Sequence, residues 1–301
     1  MKIVIIQHKN DSGEDGGGYF VELIAKCWRE WGHEVEFIHH LNHCYVADVA
    51  ILHVNLSVVP ADYLAYAKRF PVTLNGKLGD IRKRKVSAHL VEQNTLYGGP
   101  VLIKTDLNYA GLPEKKLLEQ ALPRMRTFGN YVRFFSRKSL KVWRRFFPRK
   151  NVRENMAISS YRGTFRILAS KDLVPSHLWG NRDWVVEKFL PEVEGGRFVI
   201  RHAYFLGDRC IGFKNSSRDP IIKDEAEDGR SESMVVDEQI CRMREQMGLD
   251  YGKIDYVMHE GRAVMLDVSK TIGGASGMRT AEFLAHGIDS YITKHPKVFS
   301  Q

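Results

Sequence analysis

Through its first ninety residues the chain alternates short apolar runs with helical sequence, and that order leaves few folds open. Residues 2–7 read as a buried strand, and Val35 to His39, Val49 to Val54 and Val72 to Leu74 as three more. Helices are predicted from about Tyr19 to Trp31, closed by Gly32, and from Ala61 to Arg69. Together they predict an open parallel α/β unit over roughly residues 1–94. Gly16-Gly17-Gly18 follows the first strand and could cradle a phosphate. It lacks the G-x-G-x-x-G spacing of a dinucleotide site and is read as a flexible loop. His39-His40-Leu41-Asn42-His43-Cys44 has no complementary ligand pair elsewhere and is read as a loop.

At 301 residues the chain can bury a sizeable core in two or three subdomains. No apolar run approaches the roughly 18 residues that span a bilayer. The apolar start is too short for a secretion signal and has no small-residue cleavage site. Cys27, Cys44, Cys210 and Cys241 show no C-x-x-C spacing, so free thiols in a reducing cytoplasm are expected.

Past residue 95 the pattern changes. Gly98-Gly99-Pro100 introduces a strand, Val101 to Lys104, and a second apolar strand runs from Trp184 into Glu187-Lys188-Phe189-Leu190. Arg197 to Leu206, a turn at Gly207-Asp208 and Arg209 to Phe213 read as an antiparallel pair, and a helix is predicted from about Asp237 to Met247. Lys253 to His259 and Ala263 to Ser269 then form a hairpin around a three-residue turn, Glu260-Gly261-Arg262. Placing Ile254, Tyr256 and Met258 on the core face with Val264, Leu266 and Val268 pairs 254 with 268, 256 with 266 and 258 with 264. Asp255 then faces Asp267 on the other side, with Lys253 opposite Ser269. Two carboxylates about 5 Å apart repel. A cation between them relieves that, and hard oxygen ligands suit magnesium; two solvated acids are the alternative.

In this order, the strand lysine, the Glu-Lys-Phe-Leu segment, a later acid, a strand arginine and the paired aspartates resemble the ATP-grasp superfamily. The resemblance implies an N-terminal α/β domain (1–94), a small lobe (95–183) and a large lobe with a metal site (184–301). It also implies an α/β and α+β fold class, with ATP and magnesium as cofactors. Lys104 would contact nucleotide phosphates. Glu187, Lys188, Phe189 and Leu190 would hold adenine, and Glu194, with Glu192 second, the ribose. Arg201 would stabilise the transferred phosphate. Asp255, Asp267 and Ser269 would hold the metal, although the family usually has Asn where Ser269 stands. The implied reaction joins a carboxylate to an amine through an acyl phosphate, the substrates being small molecules or peptides. The alternatives are a phosphotransferase on the same fold, or a nucleotide-binding protein with degenerate catalysis.

The net charge of +9 is a local property. Residues 124–153 hold eleven Arg and Lys and no acid, interleaved with Phe134, Phe135, Trp143, Phe146 and Phe147. The readings are a helix packed by its aromatic stripe, a mobile lid, or a surface for an anionic partner or membrane. Nucleic acid ranks lowest, because no nucleic-acid motif accompanies the segment.

Overall fold

The computed structural model describes residues 1–11, 18–121, 160–161, 165–222, 231–273 and 277–294. The basic segment 124–153 and residues 16–17 of the Gly16-Gly17-Gly18 loop lie outside these.

The N-terminal unit contains β1 (Lys2–Ile6), α1 (Phe20–Glu30), β2 (Glu34–Ile38), β3 (Val49–Leu52), α2 (Ala61–Ala67) and β4 (Val72–Leu74). Its strands lie in the order β2-β1-β3-β4, and every pair is parallel. A sheet covered on both faces needs strands that are apolar on both faces, and β1 and β3 meet that need. Ile3, Ile5, Val49 and Ile51 share a core with Phe20, Ile24 and Trp28 of α1. Val4, Ile6, Ala50 and Leu52 share another with Tyr63, Tyr66 and Ala67 of α2.

Two antiparallel sheets follow. The short α3 (Lys83–Val86) leads to β5 (Val101–Thr105) and α4 (Leu112–Ala121). The small sheet has the order β6-β7-β5-β8, with β6 Ser160–Tyr161, β7 Phe165–Leu168 and β8 Trp184–Lys188. In the large sheet β9 (Glu192–Glu194) pairs with β10 (Arg197–Leu206), and the main order is β12-β11-β10-β13-β14. Its other strands are β11 (Arg209–Ser217), β12 (Glu232–Met234), β13 (Tyr251–His259) and β14 (Arg262–Ser269). The helices α5 (Glu238–Met247), α6 (Met278–Ala285) and α7 (Gly287–Lys294) complete the chain. The fold class is the expected mixture of a parallel α/β sheet with two antiparallel sheets. β8 pairs antiparallel with β5 in the small sheet.

The N-terminal unit and the large lobe share one core. Leu206, Tyr251, Leu284 and Ile288 pack in the cluster that holds α1, and the Trp28 indole N–H donates to Ala285 O at 2.9 Å. Among the described residues no helix is long and apolar enough to cross a membrane.

The β13–β14 hairpin departs from the predicted register at its turn end. Lys253 pairs with Ser269, Ile254 with Val268 and Asp255 with Asp267, as expected. Beyond Asp255 the pairing shifts, so that Tyr256 meets Met265, Val257 meets Val264 and His259 meets Arg262. The turn is therefore two residues, not three. Glu260 and Gly261 both have positive φ, 49° and 74°, as a type I′ turn requires. A two-residue turn and an Asp255–Asp267 pair differ by one residue in register, and a bulge at Leu266 absorbs the difference. As a result Ala263 and Met265, not Val264 and Leu266, pack with Tyr256 and Met258 in the core, while Leu266 lines the opposite side. Glu260 bears a Cβ in left-handed backbone, at a cost on the order of 1 kcal/mol. Glu260→Asn, which suits a type I′ turn, is expected to raise the thermal midpoint by a few degrees. A lower midpoint in a thermal melt would mean that the turn does not take this form.

Candidate functional site

The small and large sheets enclose a cleft of about 620 Å3, lined from β5, β8, β10, β13 and β14. That volume suits a small organic ligand. Its lining combines apolar Leu102, Phe189, Leu190 and Ile200 with the Lys104–Glu187 pair, and its charged end carries Lys83, Lys253, Asp255 and Asp267.

Lys104 and Glu187 are neighbours across the β5–β8 pair, both almost fully buried, with Nζ 2.8 Å from Oε2. The ammonium also donates at 2.6 Å to the carbonyl of Leu266, the bulge residue, and so ties the small sheet to the large one. Glu187 Oε1 is buried without a hydrogen-bond partner among the described residues. A buried carboxylate oxygen left this way costs on the order of 1–3 kcal/mol or more, so it is poised to accept from a ligand donor.

At the charged end the two aspartates do not face each other uncompensated. Asp255 Oδ1 lies 3.2 Å from Lys253 Nζ and 2.6 Å from His202 Nδ1. Burial opposes the charge on Asp255, yet Lys253 and His202 outweigh it and hold the carboxyl well below the usual carboxylate range. Asn215 Nδ2 is 3.2 Å from His202 Nε2, and Ser231 Oγ donates to Asn215 Oδ1 at 2.7 Å. With that donor order His202 Nε2 accepts from Asn215 and Nδ1 donates to Asp255. Asp267 Oδ1 lies 3.5 Å from Lys83 Nζ, which also donates to Asn108 Oδ1 at 2.9 Å. The first turn of α3 delivers Lys83 to the cleft, because Lys83 N donates to Asp106 O and Arg84 clamps the Asp106 carboxylate at 2.6 Å. Burial pushes the Lys83 ammonium pKa down and Asp267 partly restores it.

Among the described residues no group of three His, Cys, Asp or Glu could cage a metal. The opposed aspartates suit magnesium only as the one or two carboxylates it accepts when phosphate oxygens and water supply the rest. Ser269 lines the cleft beside them, with its hydroxyl donating to Thr271 O at 3.1 Å. Nearby, Tyr109 and Ala110 take φ values of 47° and 57°, and both border the cleft.

The structure thus brings Lys104, Glu187, Lys188, Phe189, Leu190, Glu192, Asp255, Asp267 and Ser269 to one cleft, and leaves Arg201 and Glu194 outside its lining. Arg201 alternates with Ile200 and His202, which do line it. Its guanidinium forks onto Glu192, which also accepts from Met258 N at 2.6 Å, and reaches Glu194 at 3.1 Å. Glu194 is further bound by Lys214 at 2.8 Å, which together with Arg201 lowers its pKa. Lys83, Lys253 and His202 were missed as site residues. Lys253 carried a legible signal, lying two residues before Asp255 on the same strand face. Lys83 sits in the run Arg82-Lys83-Arg84-Lys85, which reads as a solvated basic stretch.

Comparison with known proteins adds similarity at the level of solved structures. No family model matches the sequence, and no curated protein matches it. A RimK-domain ATP-grasp protein from Sphaerobacter thermophilus is 10% identical with a TM-score of 0.44, over 96% of this chain and 99% of that one. D-alanine–D-alanine ligase from Bacillus anthracis is 12% identical with a TM-score of 0.45, over 99% and 97%. A RiPP-associated ATP-grasp ligase from Chryseobacterium gregarium, in complex with ADP and a leader and core peptide, is 10% identical with a TM-score of 0.45, over 94% and 95%.

Beyond Ser269 a second polar cluster lies between the N-terminal unit and the large lobe. His53 is fully buried just past β3, with Tyr19 edge-on at 4.7 Å and the Tyr251 ring at 5.9 Å. Neither His53 nitrogen, nor Lys270 Nζ, nor the Tyr251 hydroxyl has a hydrogen-bond partner among the described residues. Burial drives the imidazole down to about 3, and the Lys270 charge acts in the same direction. Unfolded chains then bind a proton at His53 that the folded protein refuses, so stability falls as pH drops from about 6.5 towards 3. Each pH unit in that window costs up to about 1.4 kcal/mol. In urea unfolding at pH 7.5 and 5, His53→Phe is expected to lose less stability on acidification than the wild type. Equal losses would show that His53 is not a buried neutral imidazole.

Proposed function

We propose that the protein is an ATP-dependent ligase of the ATP-grasp kind that joins a carboxylate to an amine. The observation that carries this reading is the make-up of the cleft. Glu187, with one buried oxygen that has no hydrogen-bond partner among the described residues, stands beside Lys104 in a lining that includes Phe189 and Leu190, and Lys83 and Lys253 stand beside the two aspartates. Adenine offers an exocyclic N–H pair for Glu187 and two faces for Phe189 and Leu190. A polyphosphate offers oxygens to Lys104, Lys83 and Lys253 as point charges.

Asp255 and Asp267 would hold magnesium, which supplies charge neutralisation at the phosphates. His202 keeps Asp255 ionised and oriented. Lys253, beside Asp255, faces the phosphoryl group in transfer, the role the resemblance gives to Arg201. Arg201 braces Glu192 and strand β9 instead. A substrate carboxylate oxygen bonds to the γ-phosphorus as the β–γ bridging oxygen departs with ADP. The amine nitrogen then bonds to the acyl carbon, phosphate leaves with the C–O electron pair, and the amine loses a proton to solvent. Lysines fixed before the reaction stabilise the charge that shifts onto the leaving oxygens without reorganisation.

ADP release across a panel of carboxylates and amines tests the reading. ADP formed only with both substrates is the expected result. ADP formed with a hydroxyl acceptor alone would make the protein a phosphotransferase, and ATP binding without turnover would make it a binding protein. Asp255→Asn and Asp267→Asn should each lower magnesium-dependent turnover by about a hundredfold or more. Wild-type rates in either variant would remove the metal assignment. Lys104→Met is expected to weaken ATP binding by tenfold or more, measured by calorimetry.

A further inference from the structure

We propose that Lys270 and His53 form a receptor for a carboxylate group of the substrate, adjoining the charged end of the cleft; its use in ligation rests on the function proposed above. The groups come from separate parts of the chain. Lys270 follows Ser269 out of β14, His53 follows β3 in the N-terminal sheet, and Tyr251 opens β13. The Lys270 and Tyr251 side chains are, like His53, almost wholly buried, at 1% and 0% exposure. Unpartnered polar groups are rare in protein interiors, and three around one spot mark the place of a missing partner.

The chemistry of these groups defines that partner. Lys270 and Tyr251 present donors, and a neutral imidazole presents one more. They call for an acceptor with at least two oxygens. Burial keeps His53 neutral and pulls the Lys270 ammonium down to about 7, so the cluster carries at most one positive charge. That balance matches a singly charged carboxylate and not a doubly charged phosphate. The location fits as well. Ligands of open α/β sheets bind beyond the carboxyl ends of the strands, where His53 lies. Thr271 Oγ1 donates to Asn55 Oδ1 at 2.9 Å, and Asn55 Nδ2 donates to the Tyr19 hydroxyl at 2.9 Å, so neighbouring polar groups are satisfied and hold the frame. Ser269, which lines the cleft, directly precedes Lys270 in the chain.

The test is calorimetric titration of L-alanine, L-glutamate and glycylglycine, each against its C-terminal amide, with a non-hydrolysable ATP analogue bound. At least one acid should bind about tenfold or more tightly than its amide, and Lys270→Met should weaken that acid by a similar factor while leaving affinity for the analogue unchanged. Equal binding of acid and amide, no binding of any acid, unchanged affinity in Lys270→Met, or tighter binding of inorganic phosphate than of every acid would each overturn the receptor. The acid–amide comparison in the wild type decides the matter even if Lys270→Met does not fold. Failure of the wild type to bind the analogue would instead overturn the ligase reading.

Discussion

The arrangement of the cleft depends on a register conflict settled within one hairpin. A two-residue turn with both residues left-handed sets one pairing, and the opposition of Asp255 and Asp267 needs another, one residue out of step. The Leu266 bulge reconciles them. Its carbonyl receives the Lys104 ammonium from the other sheet, so the irregularity that brings the aspartates together also supplies the contact that closes the small lobe onto the large one. A continuous ladder would place Asp255 opposite Leu266 and lose the acid pair.

Charge balance is the second constraint. Lys104 with Glu187, Lys83 with Asp267, and Lys253 with Asp255 are three pairs of opposite sign along one cleft. Buried pairs of this kind add little net stability, because desolvation offsets most of their attraction. Their value is in fixed position. Each cation is held by the protein before any ligand arrives, and each pair can be reshuffled by an incoming anion without moving backbone.

Much of this was legible in the sequence, and the parts that were not have physical reasons. Strands buried on both faces and a helix with a full apolar stripe made the N-terminal sheet readable almost residue by residue. Asp255 and Asp267 were legible because period-2 alternation assigns them a face, whereas Lys104 and Glu187 came from the resemblance alone. Alternation failed where a bulge resets the period, which is why Val264 and Leu266 were assigned to the core. Arg201 was named from the resemblance and not from alternation, and its guanidinium pairs with Glu192 outside the cleft lining. Lys83 and Lys270 had no local signal at all, since their burial arises from contacts between segments far apart in the chain.

The core shared by α1 and α6 places a demand on the order in which the molecule can form. Trp28, Ile24 and Phe20 are made early, while the surface that covers them, Ala281 to Ile288, comes more than 250 residues later. A nascent N-terminal sheet must therefore present an uncovered apolar face until those residues are made. Such long-range closure slows folding and leaves sticky surface open in the interim. Its solubility during that wait then depends on what shields α1, and helices α6 and α7 act as the latch that ends it.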